Sequence, residues 1–518
     1  MRRTILFDKL FVGMFFLTWL ALNFVIGLHV LFLGRVQDFL YFVVIQIIHI
    51  GLAYDFVVLI CATFLPELTP SKLPQLERSP TVALLYLCCD DAMSVALSRL
   101  NNQTYKNYDV YVLDDSIDEV NQLMVDSFGY STIRRGHRRG AKAGNLNHWL
   151  AQFGEQYEYF VVLDNDCILK PSFLIEMLKY AEHPDNNTTA IFQSVKRAWN
   201  TRQLFPRWLD AMNAYQAIID LQVFNRCHSL FATTNMMCRT QPLQEIGGFN
   251  ENIVTEDFAT SVTLIEQGYQ CQAVNVVSYY ATSETVQIHT RRMTRWARGT
   301  LETAVSKSWA VPLATKLRMF MSVYSFSLWF FYLISMLFVV WIYRVTWNQL
   351  YITMFFAFRW QQPDIIIRPL ALILAYALYG FIIRPLLVTR LAAVSWKIYW
   401  SHAILNMSIG FYAAFDLFIG QLSSLIGRKA KFTTGDKRWF QSSFWHIVSG
   451  MKWTIIIMIL IAIGLVQNPV GRFVYLPWYL PLFFSPWVIY RAQNAHTEYM
   501  DNHQPSLPKT FQEIKSET

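Results

Sequence analysis

The sequence predicts an α/β domain built on an open parallel sheet and inserted into a polytopic α-helical membrane domain. Three observations predict it. The 518 residues are 54% hydrophobic and 15% charged, with a mean hydropathy of +0.26, a balance that suits partial residence in lipid and excludes a disordered scaffold, a coiled coil or a small disulfide framework. Apolar stretches longer than the roughly 20 residues needed to cross a ~30 Å hydrocarbon core flank a more polar middle. Within that middle, strand-length and helix-length signals alternate, as they do in a parallel sheet covered on both faces.

The chain begins Met1, Arg2, Arg3 and enters apolar stretches at about Phe11 to Leu33 and Phe39 to Phe64. Residues 1–65 are read as a two-helix hairpin that starts and ends in the cytosol, because no short apolar region with a small-residue cleavage site marks a signal peptide. Pro66, Pro70, Pro74 and Pro80 then punctuate a linker into the apolar run Thr81 to Cys89. Further strand-length runs, Asp109 to Leu113 and Tyr159 to Leu163, enclose helix-length segments such as Gly144 to Phe153. The α/β domain is thereby expected at residues 66–312. A membrane domain at 313–490 follows, with helices at about Met319 to Tyr343, Ile367 to Val388, Trp453 to Val466 and Tyr475 to Tyr490, then a cytosolic tail at 491–518. Ser395 to Ile426 is apolar but carries Lys397, His402, Asn406, Asp416 and Gln421, and runs into basic residues from Arg428 to Arg438. Spanning would leave that cluster outside, against the positive-inside tendency. Residues 395–426 are therefore read as a pair of interfacial amphipathic helices.

Charge and cysteine narrow the class. The 44 Lys and Arg exceed the 36 Asp and Glu by 8, but much of the excess borders apolar runs, which favours a membrane over a nucleic acid. The seven cysteines include no CxxC pair, and Cys88 adjoins Cys89 inside an apolar strand, so neither a disulfide framework nor a zinc site is indicated.

Five segments carry chemistry. Asp114 and Asp115 close one predicted strand, and Asp164, Asn165 and Asp166 close another; ligands of open parallel sheets bind outside the carboxyl ends of strands. A D-x-D there suits a divalent metal completed by phosphate oxygens, or simply a turn. Arg139 to Asn147, RGAKAGNLN, offers backbone N–H groups and a lysine at a helix start, suited to an anion or to plain capping. Glu256 and Asp257 open a probable helix after a glycine turn, where a carboxylate serves as general base or as helix cap. In Arg291 to Gly299, RRMTRWARG, Arg292, Arg295 and Trp296 share one helical face, which suits a diphosphate and a sugar ring, or lipid headgroups.

The ordered set LDDS (Leu113 to Ser116), KAGNLN (Lys142 to Asn147), DND (Asp164 to Asp166), TED (Thr255 to Asp257) and RxxRW (Arg292 to Trp296) resembles the processive membrane glycosyltransferases of family two, particularly bacterial cellulose synthases. The likeness implies a GT-A, Rossmann-like glycosyltransferase domain facing the cytosol. It implies that Asp115 and Lys142 contact the nucleotide base, and that Asp164 and Asp166 position the diphosphate with Asp166 ligating Mg²⁺ or Mn²⁺. Asp257 would be the base, Arg295 would hold the diphosphate, and Trp296 with Glu256 would meet the acceptor sugar. Lys431 to Lys437, KFTTGDK, resembles the gating loop of cellulose synthases, with Phe432, Thr434 and Lys437 as its candidate contacts. Arg292 stands where the family has glutamine, and Cys89, Asp90 and Asp91 stand where it commonly has YNE.

The implied activity is that of a UDP-sugar-dependent hexosyltransferase, a β-glucan synthase. It would polymerise glucose from UDP-glucose by inverting transfer and move the product across the plasma membrane. Its partners would be UDP-glucose, the growing polysaccharide and membrane lipids, with no nucleic acid. The alternatives are a hyaluronan- or chitin-like synthase, a non-processive enzyme acting on a lipid acceptor, and, in a different class, a transporter or carbohydrate-binding scaffold with an inactive domain. Trp296 is the expected mouth of the polymer path, with Trp329, Tyr332 and Trp341 as candidate linings beyond it.

Overall fold

The computed structural model describes residues 2–33, 36–66, 73, 75–306, 310–341, 378–426, 443–467 and 469–494. Two long apolar helices, α1 (Arg2–Leu33) and α2 (Val36–Phe64), pack along each other. Between them the Asn23 side-chain oxygen accepts from Gln46 and lies 2.9 Å from His49 Nδ1, a polar contact of the kind that holds helices together where water is absent.

Eight strands follow: β1 (Val82–Cys88), β2 (Tyr108–Asp114), β3 (Ser131–Ile133), β4 (Tyr159–Asp164), β5 (Ile168–Leu169), β6 (Thr189–Ala198), β7 (Met236–Arg239) and β8 (Gln270–Tyr280). They form one sheet in the order β3-β2-β1-β4-β7-β6-β8-β5. Every residue of β1 is buried, the signature of a strand covered on both faces. Helices α3 (Ser94–Leu97), α4 (Glu119–Asp126) and α6 (Phe173–Ala181) contribute to the core on one face, around Tyr86, Phe173 and Met177. Helix α5 (Ala141–Phe153) covers the other, where Trp149 is fully buried among Leu146, Phe160 and Leu243.

The expected all-parallel sheet is corrected to a mixed one. β1 pairs in parallel with β2 and β4, and β6 with β8, but β7 runs antiparallel to both β4 and β6. The cause is local: the chain enters β7 through Asn235, at φ 60°, whose N–H bonds Val162 O at 3.1 Å. It thus slots between β4 and β6 after the helical residues 204–224 have carried the chain back from the end of β6. Because β7 opposes both neighbours, β4 and β6 run the same way, and the carboxyl ends of β1, β2, β4 and β6 share one edge.

The remaining helices of the domain are α7 (Leu204–Ile219), α8 (Thr240–Glu245), α9 (Glu256–Glu266) and α10 (Val286–Ser306). Helices α11 (Leu313–Trp341), α12 (Arg384–Leu391), α13 (Trp396–Leu425), α14 (Phe444–Gly450), α15 (Lys452–Gln467) and α16 (Pro469–Asn494) complete the described chain. A third core joins the two parts, with Phe205, Trp208 and Ala297 of α7 and α10 packed among Leu333, Phe411 and Tyr479. Among the described residues four helices are long and apolar enough to cross a membrane, at Leu6–Phe24, Gln46–Phe64, Leu313–Phe338 and Trp396–Leu425. Helices α14 and α15, bent by 81°, make a fifth if they are one broken span. The architecture is that of a membrane protein.

Two further expectations are corrected. The interfacial pair at 395–426 is a single helix, α13, capped at Ser395 and uninterrupted because no proline breaks it; its Gln421 is satisfied by Ser327 and by Val323 O at 2.9 Å. Trp329, Tyr332 and Trp341 are engaged in helix packing and do not line the cavity described below: Trp329 lies against Gly410, Tyr332 against Phe411, and Trp341 Nε1 donates to Leu460 O at 3.0 Å. The gating-loop candidates Phe432, Thr434 and Lys437, the tail from 495, and the first half of the helix expected at Ile367 to Val388 lie outside the described residues.

Candidate functional site

At the shared edge of the sheet lies a cavity of about 1900 Å³, and Asp115, Lys142, Asp164, Asp166, Glu256, Asp257, Arg295 and Trp296 all line it. The structure therefore brings these eight residues together, whereas Asp114, Trp329, Tyr332 and Trp341 do not line the cavity. The wall is made by strand ends, by the starts of α5 and α9, by α10, and by residues of α7, α11 and α13.

At the β2 end, Asp115 is held by Arg135 through two bonds, Nε to Oδ1 at 2.9 Å and Nη2 to Oδ2 at 2.6 Å. This bidentate fork fixes the orientation of the carboxylate. Arg134 holds Asp114 at 2.8 Å and Arg138 holds Asp90 at 2.9 Å. Three arginines within five residues thus each clamp a carboxylate at the end of β1 or β2. The sequence reading passed over them; the signal was the run RRGHRR directly before the KAGNLN motif.

Helix α5 starts after Gly140, at φ +70°, where a side chain would also strike Glu251; glycine is the residue that suits both demands. This start delivers Lys142 away from Asp115: its Nζ donates to Asp164 Oδ1 at 2.7 Å and lies 3.8 Å from Glu256 Oε1. Burial opposes the charge on Lys142, yet Asp164 and Glu256 outweigh it and push its pKa above the usual lysine value. Burial likewise works against ionised Asp164, but Lys142, aided by the Thr234 hydroxyl and Lys196, holds that carboxyl at about 2.

The DND segment is both a turn and part of the site. Cys167 N–H donates to Asp164 O at 3.0 Å, closing the turn. Tyr86 OH donates to Asn165 O at 2.7 Å and Trp199 Nε1 to Asp166 O at 3.1 Å, bracing the backbone from two sides. Asp164 and Asp166 offer hard oxygen ligands. Among the described residues no group of three or more His, Cys, Asp or Glu side chains is placed to hold a metal ion. Two carboxylates at a strand end suit a divalent cation only if the remaining ligands would be supplied from outside the protein.

Across the cavity, Glu256 and Asp257 begin α9. Asp257 Oδ1 accepts the Phe258 N–H at 2.8 Å, so the helix-capping role is real and coexists with exposure to the cavity. Burial and the adjacent Asp257 carboxylate push the Glu256 pKa up, with Lys142 and Arg295 opposing. Helix α10 lies against this turn because residue 299 is glycine: a Cβ there would run into the Thr255 side chain, 2.8 Å from its Cβ and closer still to its hydroxyl. That contact sets Arg292, Arg295 and Trp296 along the same cavity wall.

The sequence reading also missed Lys196, which lines the cavity from β6. Its neighbour Arg197 turns to the opposite side and pairs with Asp210 on α7 at 2.8 Å, as strand alternation requires. The signal was the short apolar run Ala190 to Phe192, continued by Gln193, Ser194 and Val195 into a basic pair.

Residues 159–489 match the family described as Glycosyl transferase family group 2. The chain is 32% identical over 167 residues to a UDP-forming cellulose synthase catalytic protein of Dictyostelium discoideum, a match that covers 31% of this chain and 16% of that protein. It is 26% identical over 258 residues to glucans biosynthesis glucosyltransferase H of Nitrosomonas europaea, covering 44% of this chain and 30% of that one. These matches span less than a third of either curated relative's length. Among solved structures, a mannosyltransferase from Pyrobaculum calidifontis in complex with GDP-Man and Mn²⁺ aligns with 75% of this chain and 100% of its own, at 16% identity and a TM-score of 0.47.

Proposed function

The chain belongs to glycosyl transferase family group 2, and from that premise we propose that it is a processive, inverting glycosyltransferase that polymerises glucose from UDP-glucose into a β-glucan. It passes the product across the plasma membrane, with its α/β domain on the cytosolic side. The observation that carries this reading is the continuity of one cavity. The same cavity holds the donor-side carboxylates Asp164 and Asp166, the acceptor-side Asp257 and Trp296, and residues of the flanking helices such as Ser322, Phe326, Tyr412 and Ser423. A growing polar chain cannot dissolve in hydrocarbon and needs a route lined by protein, and a cavity shared by the α/β domain and the flanking helices supports one.

In this reading Asp257 takes the proton of the acceptor hydroxyl as that oxygen forms a bond to C1 of the donor glucose. The bond from C1 to the diphosphate oxygen breaks, and its electron pair leaves with UDP. One displacement inverts C1, so an α-linked donor yields a β-linked product. Arg295 faces the departing diphosphate, and Lys142 keeps Asp164 ionised and in place. Asp164 and Asp166 would hold Mg²⁺ or Mn²⁺, which neutralises charge on the leaving group when bound. Trp296 offers a ring face to the acceptor sugar at the mouth of the route.

The test is to incubate the purified protein in lipid with individual UDP-sugars and Mg²⁺ or Mn²⁺, size the product by gel filtration and digest it with linkage-specific glucanases. A long glucanase-sensitive polymer from UDP-glucose is expected. A product with one added sugar would overturn processivity. No UDP release from any UDP-sugar would overturn the enzymatic reading.

A further inference from the structure

We propose that Lys196 contacts the donor diphosphate, as a fixed cation at the end of β6 that shares charge compensation with the divalent ion. The inference rests on the donor reading above and deepens it.

The placement comes from topology. β7 opposes both β4 and β6, so the carboxyl end of β6 opens on the edge that carries Asp115 and Asp164. Strand alternation sends Arg197 to Asp210 and leaves Lys196 facing the cavity. There its ammonium stands over the Tyr280 ring, 5.7 Å from the centroid, and no carboxylate pairs with it among the described residues. Lys142, by contrast, is bound to Asp164 at 2.7 Å, so its charge is largely spent within the protein. Lys196 is the strand-borne cation whose ion-pairing capacity remains for a ligand.

Its electrostatic surroundings point the same way. Burial pulls the Lys196 pKa below the usual lysine value, while Asp257 and Asp164 pull it up and Arg292 pulls it down. The group is thus flanked by the donor-side Asp164, the acceptor-side Asp257 and the arginine face of α10. The bond that breaks must lie in this interval. When C1 leaves the diphosphate oxygen, the electron pair settles on UDP and the proton of the acceptor hydroxyl passes to Asp257. A cation fixed there stabilises the oxygen on which negative charge grows. Buried lysines are costly unless a ligand or partner repays the desolvation, so an unpaired one in a cavity wall marks a place for an anion.

The experiment uses full-length protein in detergent or lipid and calorimetry with UDP, uridine and inorganic pyrophosphate, in EDTA and in saturating Mg²⁺. In EDTA, K196Q is expected to bind UDP about 10- to 100-fold more weakly than the unaltered protein, as for loss of a charged hydrogen bond. The deficit should shrink in Mg²⁺, K196R should restore affinity, and uridine binding should not change. If K196Q does not fold, K196M keeps the aliphatic stem against Tyr280 and gives the same reading. Equal UDP affinity in the charge-free variant and the unaltered protein overturns the inference, as does an equal loss for uridine. If the unaltered protein binds pyrophosphate but not UDP, and the variant loses that binding, the uridine donor is overturned while the role of Lys196 stands.

Discussion

Asp257 accepts the Phe258 N–H through Oδ1 at 2.8 Å, so asparagine at this position keeps a helix-capping oxygen while removing the group able to take a proton. Asp257→Asn should therefore bind UDP within a few-fold of the unaltered protein and lose transfer by about 10²- to 10⁴-fold. Near-normal turnover would remove Asp257 from the role of base. The neighbouring Glu256 gives a pH signature. Burial and Asp257 push its pKa from 4.5 up to about 7, so between those values the folded protein retains a proton that the unfolded chain has released. Stability from this group is present below the lower value and is lost as pH rises through the upper one. Melting temperature should accordingly fall more between about pH 5 and pH 8 in the unaltered protein than in Glu256→Gln, which cannot ionise; parallel profiles would contradict the assignment. At this scale the sequence was most legible where the residues that line the cavity are contiguous, as in DND and TED. It was least legible for Arg135 and Lys196, because what makes each significant, Asp115 on β2 for the one and the edge shared with β4 for the other, is brought close only by the sheet.

Helix α10 acts through its distance from α9. With glycine at 299 the two helices approach until the space for a Cβ is taken by the Thr255 side chain, whose own Cβ would be 2.8 Å away. Gly299→Ala must push α10 away from the Glu256–Asp257 turn, and a displacement near 1 Å between reacting groups costs on the order of 10²-fold in rate. Transfer should fall by about that factor while UDP affinity holds, since Asp164 and Asp166 belong to β4 and its turn. A variant that transfers normally would mean the close approach does not position the arginines and Trp296. Strand and helix types were readable from periodicity because each is a local property. The antiparallel run of β7 was not, since MMCR at 236–239 carries no directional mark, and its pairing is decided by the turn at Asn235. The unity of α13 was hidden for a related reason: Gln421 and Asp416 look like breaks in an apolar helix, and only the Ser327 and Val323 partners reveal that Gln421 is satisfied inside the helix packing.

The sidedness of the whole molecule is constrained by where α10 sits. Near the end of α13, Gly420 meets Thr294 and Arg298 of α10, with a Cβ there only 2.7 Å from Thr294 Cγ2. The next described helix, α14, also packs against α10. The chain therefore leaves the described structure after 426 beside the α/β domain and re-enters it at 443 beside the same helix. A 16-residue excursion, 427–442, reaches at most about 58 Å when fully extended, short of two passes through a ~30 Å hydrocarbon core, and extended passes would leave every backbone polar group unsatisfied in lipid. The basic residues Arg428, Lys429, Lys431, Lys437 and Arg438 make that passage still less favourable. The segment is thus expected on the side of the membrane that bears the α/β domain, whatever the length and composition of α13 permit. Asp436→Cys and a reference cysteine at exposed Asn102, each introduced separately after the seven free cysteines are replaced, provide the measurement. An impermeant thiol reagent should label both positions from the same face of sealed vesicles and neither from the other face. Labelling of position 436 from the face opposite to position 102 would mean that α13 delivers the chain across the membrane, and the packing of Gly420 on Thr294 would then have to be given up.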